Sequence, residues 1–167
     1  MIVSLIILLI LTLIGVSASK TVLLEEKMTF AARDAAVALQ MAEMGARAAE
    51  AEISKMVTTT GFSATGAGGY YSEGSGPEDY TDTLTWGSAN SQGTTVTVDG
   101  QEYRYRYFIE ISGTASEDVN PGDINAGLGY GEDTGIGVIQ VFRIVAMGEG
   151  LSTSTRRYIT THYGTRL

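Results

Sequence analysis

The densest set of oxygen ligands in this chain is EDVNPGDIN, Glu117 to Asn125. It gathers Glu117, Asp118, Asn120, Asp123 and Asn125 into one turn-rich loop. Carboxylates and amide carbonyls at that density suit Ca²⁺. The ligand spacing of a helix–loop–helix calcium site is missing, which leaves Asp118, Asn120 and Asp123 as candidate ligands in what otherwise reads as a solvated acidic loop. The single histidine, His162, stands between Thr161 and Tyr163 with no acid–nucleophile set around it. GAGGYYSEGSG carries glycines, but it follows no strand and opens no helix, as a phosphate-binding loop must. There is no cysteine, which excludes disulfides, thiol catalysis and thiolate metal sites. No catalytic residue and no cofactor are expected.

The elements that hold these groups suggest another kind of function. With a net charge of −8 and a pI of about 4.6, the chain lacks the excess of Lys and Arg that non-specific nucleic-acid binding requires, and no nucleic acid is expected as a partner. Residues 1–19 contain no charge, and Lys20 is the first. As a helix, that stretch spans roughly 28 Å, close to the hydrocarbon thickness of a bilayer. A cleaved signal peptide is the competing reading. No basic residue precedes the apolar run, and no strong small-x-small cleavage site interrupts it. Cytoplasmic flanks usually carry the positive charge, whereas here Lys20 and Lys27 follow the span. A basic leader removed after insertion would reconcile the two, with Met1 then a mature N-terminus.

Residues 20–57 continue without proline, and Gly45 is their only glycine. Small and apolar residues recur every three or four positions, from Leu24 and Met28 to Ile53 and Met56, which predicts an amphipathic continuation of the same helix. Its face is unusually small at Ala35, Ala38, Ala42, Gly45 and Ala49, so a flat partner can approach closely. Thr58-Thr59-Thr60-Gly61 is expected to end it. A helix of about 57 residues is about 85 Å long, too long for a domain of this size to enclose. The apolar end, 1–19, is therefore expected to lie against lipid or other helices. Leu5, Ile6, Leu9, Leu13, Gly15 and Val16 would pack against neighbouring copies.

Residues 58–93 are rich in Gly, Ser, Thr and acids, and read as a surface loop anchored by Tyr70, Tyr71, Tyr80 and Trp86. Residues 94–167 read as a sheet. TTVTVDGQEYRYRYFIEI places Asp99-Gly100 between two alternating runs, the signature of a two-residue hairpin. The implied register pairs Val98 with Gln101, Val96 with Tyr103 and Thr94 with Tyr105. One face then presents Tyr103, Tyr105, Tyr107 and Ile109, the expected seat of the small helical stripe, while Glu102, Arg104, Arg106 and Glu110 face away. GVIQVFRIVAM, apolar on both parities, suits a central strand, and TRRYITTHY a final one. The expected architecture is α+β, one long helix across a four-stranded antiparallel sheet.

At this point the residues resemble a family. SLIILLILTLIGVSASKTVLLEEKMTFAARDAAVALQMAEMGARAAE, with LTLIGVSA, LLEEKM and RDAAVALQMAE inside it, resembles the N-terminal pattern of type IV pilins, and most closely the PilX-like minor-pilin group. VFRIVAMGEGLSTSTRRYITTHY resembles the family's terminal strand, glycine-containing turn and strand. The resemblance implies a type IV pilin-like fold and a structural subunit that waits in the inner membrane and then joins an extracellular pilus filament. It also implies other copies of the chain, other pilins and the pilus assembly machinery as partners. The usual glutamate five residues into the mature chain is absent, because Leu5 stands there and no acid precedes Glu25. Two alternatives are a pseudopilin of a type II secretion-like system, and a single-pass anchored protein whose acidic loop binds a ligand or Ca²⁺.

Overall fold

The computed structural model describes residues 1–115 and 139–167. Asp118, Asn120 and Asp123 lie outside the described residues. Helix α1, Ile2–Ile53, is unbroken for 52 residues, about 78 Å, and passes through Gly15 without interruption. It ends four residues before the expected Val57. The amides of Lys55 and Met56 donate to the carbonyls of Glu52 and Ile53, at 3.1 and 3.0 Å. That tightened last turn satisfies carbonyls that have no α-helical partner. The β-branched run Val57 to Thr60 that follows gives little incentive to extend the helix.

Among the described residues the sheet has five strands: β1 Tyr70–Tyr71, β2 Gln92–Val98, β3 Gln101–Ala115, β4 Ile139–Glu149 and β5 Arg156–Arg166. β3, β4 and β5 are antiparallel neighbours. β2 joins β3 in the register implied by the Asp99-Gly100 turn, Val98 with Gln101, Val96 with Tyr103 and Thr94 with Tyr105. Asp99 and Gly100 both take positive φ, 52° and 78°, as a type I′ turn demands. β2 begins at Gln92, two residues earlier than expected. β1 was not anticipated. It pairs parallel with Ile109 and Glu110, on the edge of β3 whose earlier part is taken by β2. The sheet is thus antiparallel except at this two-residue patch.

α1 crosses one face of the sheet. Ala46, Ala49 and Ile53 pack with Tyr107, Ile109, Phe142, Ile144 and Ala146, and Tyr105 and Ile111 border the cluster. Ala38, Ala42 and Gly45 are buried too, and a Cβ on Gly45 would stand 3.3 Å from both Ala146 Cβ and Tyr105 Cδ2. Met41 and Ala46, outside the expected stripe, also belong to this face. Ala35 and Tyr103 are only half-buried and stand outside the cluster. The seat is closest at Gly148, where β4 backbone meets the helix backbone at Ala38 and Ala42.

The opposite face is not a bare polar surface. Residues 58–93 turn around the β3 edge at β1: Phe62 and Tyr70 pack on the helix-side cluster, and the residues from Tyr71 onward cover the opposite face. Tyr71 and Trp86 close on Phe108, Val145 and Met147, flanked by Tyr80 and Tyr158. Beneath this cover Glu110, 4% exposed, pairs with its cross-strand partner Arg143. The carboxylate also accepts the Gly76 amide at 3.1 Å, and Arg143 donates to the Tyr80 hydroxyl at 3.1 Å. A buried charge needs such partners. Arg106, on the same face, donates to the Ser91 hydroxyl and carbonyl, both at 2.7 Å.

Candidate assembly interface

The long apolar side chains of residues 1–19 find no partner among the described residues. Every residue before Asp34 is exposed, and Leu5, Leu9 and Leu13 are 69%, 65% and 70% exposed. Ile6 and Val16 are also exposed, and Gly15 has nothing within 4 Å of the position a Cβ would take. Three hydroxyls in this stretch, those of Ser4, Thr12 and Ser19, are turned inward to the helix itself. Ser4 donates to the Met1 carbonyl at 2.7 Å and Thr12 to the Leu9 carbonyl at 2.8 Å. Such back-bonding satisfies these hydroxyls within the helix itself. The segment is long and apolar enough to cross a membrane. An apolar surface of this extent on a water-exposed protein marks an interaction site.

The sheet holds the rod by its second half. Asp34 makes the first specific contact. Its Oδ1 accepts the Ser152 amide at 3.2 Å, tying α1 to the turn between β4 and β5. The Thr155 side chain, and the backbone amides of Ser152 and Leu151, hold the Asp34 carboxyl below its usual pKa. Farther along, the Tyr70 hydroxyl donates to Glu52 Oε1 at 3.5 Å. Burial, with Tyr70, Glu52 and Tyr105 nearby, pushes the Tyr107 phenol up to about 12. Near neutral pH Asp34 is therefore charged and Tyr107 neutral.

The described residues hold no cluster of acids and histidine fit for a metal ion. His162 is exposed on β5, across from Arg143 in the β4–β5 register. A cleft of about 210 Å³ lies between β2, β3 and the β4–β5 turn, lined by Thr95, Gln101, Glu102, Arg104 and Glu149 among others. Glu149 there is engaged by Arg156 at 3.3 Å and Arg104 at 3.8 Å. It is held in these two ion pairs of the sheet. The arrangement of the described residues holds the second half of the helix on the sheet and presents its apolar first half.

Residues 1–47 match the family model described as PilX N-terminal. The match covers the exposed half of α1 and the first part of its seat on the sheet. No curated protein and no solved structure matches the chain.

Proposed function

From a chain that carries a PilX-type pilin N-terminal segment on a pilin-like α+β head, we propose that this protein is a structural subunit of a bacterial type IV pilus. The observation that carries the reading is the unpartnered apolar half of α1, joined without a break to a half that is packed on the sheet. Before assembly residues 1–19 sit in the inner membrane, with the head outside it. On assembly the same residues leave lipid and are covered by the helices of neighbouring copies or of other pilins. Leu5, Ile6, Leu9, Leu13 and Val16 make those contacts, and Gly15 allows a close one. If each of the 19 residues removes ~60 Å² of apolar surface from water, the transfer is worth on the order of 25 kcal/mol. Lipid supplies most of that already, so extraction falls to the assembly machinery.

Leu9→Lys tests this. A cation at the helix centre has no place among packed apolar helices. Filaments sheared from cells should lack the variant, while the head keeps its fold as read by Trp86 fluorescence. Leu9→Lys filaments at wild-type yield would refute helix-mediated assembly. Mass spectrometry of purified surface filaments separates the alternatives. A chain never found in them, and recovered only as a detergent-soluble monomer, is an anchored binding protein instead.

A further inference from the structure

The stretch of α1 just beyond the apolar run carries four charges in eight residues, Lys20, Glu25, Glu26 and Lys27. All four side chains are exposed, and none enters an ion pair with a described residue. At 3.6 residues per turn, Lys20 and Lys27 fall within about 20° of one another around the helix. Glu25 and Glu26 straddle the opposite side. The segment is therefore electrically two-faced. The lysine side is also the side that Ala38, Ala42, Gly45 and Ala49 turn to the sheet farther along. There Lys20, Leu23, Leu24 and Lys27 line a shallow depression of about 260 Å³.

We propose that this segment is a copy-to-copy register contact, in which the Glu25/Glu26 face of one subunit seats in the Lys20/Lys27 depression of the next. The proposal rests on the subunit reading above and names the partner surface, a second copy of this chain. Three observations support it. The two faces are complementary in sign and lie on opposite sides of one helix, so the contact is heterologous and does not close on a pair; such contacts propagate into open helical arrays. The two lysines stand at the two ends of the depression, about 10.5 Å apart along the axis, so a neighbour's adjacent acids are drawn to the stretch between them. The charges lie outside the apolar run of residues 1–19. They stay hydrated while the subunit waits in the membrane, and they meet a partner only when rods are laid side by side. Apolar helices can slide past one another at little cost. Placing like charges together in the wrong register is penalised.

The test uses full-length chain in cells that retain the assembly machinery, comparing chain in sheared filaments with chain in the membrane fraction. Lys20→Glu/Lys27→Glu and Glu25→Lys/Glu26→Lys should each lower filament yield at least tenfold, with membrane levels and Trp86 fluorescence unchanged. The fourfold swap, which restores complementarity with the signs exchanged, should return yield to within about threefold of wild type. Glu25→Gln/Glu26→Gln removes the attraction without adding positive charge beyond the span and should give an intermediate loss. Wild-type yield from either pair variant overturns the contact, as does a fourfold swap no better than the pairs. A different result also overturns it: the lysine pair variant fails and leaves the membrane fraction, while the glutamine pair assembles normally. The lysines would then serve anionic lipid headgroups. Wild-type chain absent from filaments refutes the subunit reading itself, whereas wild-type filaments indifferent to the swaps refute only the charge contact.

Discussion

Gly148→Ala should be the most damaging single-methyl change in the head. A Cβ there would lie 2.1 Å from the Ala38 carbonyl oxygen and 2.3 Å from the Ala42 amide nitrogen, with Met41 Cβ at 2.7 Å. Ordinary contacts begin near 3.5 Å, so helix and strand must part by roughly 1.3 Å. Two of the obstacles are backbone atoms of a continuous helix, which cannot rotate aside as a side chain does. Parting them also loosens the packing of Ala42 and Gly45 on the sheet. Overpacking costs about 1–3 kcal/mol in most cores, and a backbone obstacle belongs at the upper end. For a head of this size, ~3 kcal/mol corresponds to a fall in Tm of about 10–20 °C. The assay is thermal unfolding of the full chain in detergent, followed by Trp86 fluorescence, which reports the far face of the same sheet. Gly61→Ala is the control, because its Cβ would meet nothing within 4 Å and its φ is not positive. A Gly148→Ala protein melting within about 3 °C of wild type would show that the helix is not seated as closely as described.

Ala42→Phe should destabilise the same seat by roughly 1–3 kcal/mol, measured in the same melt; an unchanged Tm would rule out that face pairing. Glu110→Ala leaves Arg143 beneath the 58–93 cover without its carboxylate, and should cost about 2–4 kcal/mol, short of a fully buried pair because Arg143 keeps some exposure; chemical denaturation checks it, and Glu110→Ala/Arg143→Met should recover part of the loss. Asp34 has a depressed carboxyl pKa in the folded chain, so its contribution is present above the unfolded value near 3.8 and is lost as pH falls through the lower folded value. Asp34→Asn should therefore flatten the acid limb of Tm against pH below about 4; an acid limb as steep as wild type would remove Asp34 from that role.

What the sequence makes legible here depends on the range of the physics. The β2–β3 register follows from two adjacent residues, because Asp99-Gly100 fixes the turn and the turn fixes every pair. The apolar run of residues 1–19 is read from composition alone. The small stripe of α1 follows from helical period. Period does not distinguish which flanking residues are also covered, so Met41 and Ala46 escape it, as does the failure of Ala35 and Tyr103 to reach the core. β1 is invisible for a different reason. It is two residues long, and its partners Ile109 and Glu110 lie almost 40 residues away. The second core is equally hidden. Tyr71, Tyr80 and Trp86 are spaced irregularly in a Gly/Ser/Thr matrix, and only the folded β3 and β4 bring Phe108, Val145 and Met147 to meet them. Glu110 and Arg106, read as outward-facing from strand alternation, do point away from the helix; alternation cannot say that another segment lies on top of them.

The unbroken rod also acts as a lever. From Asp34, where the head first grips, to the tip at Ile2 is about 48 Å of free helix. An angular play of 5° at the seat becomes roughly 4 Å of wander at the tip, about three-quarters of a helical turn. The sharpness with which the N-terminal ends can be aligned is therefore set some 50 Å away, by the backbone contact of Gly148 with Ala38 and Ala42 and by the Asp34 tie. A loosened seat would blur the alignment of the tips even where every residue of the apolar run is intact.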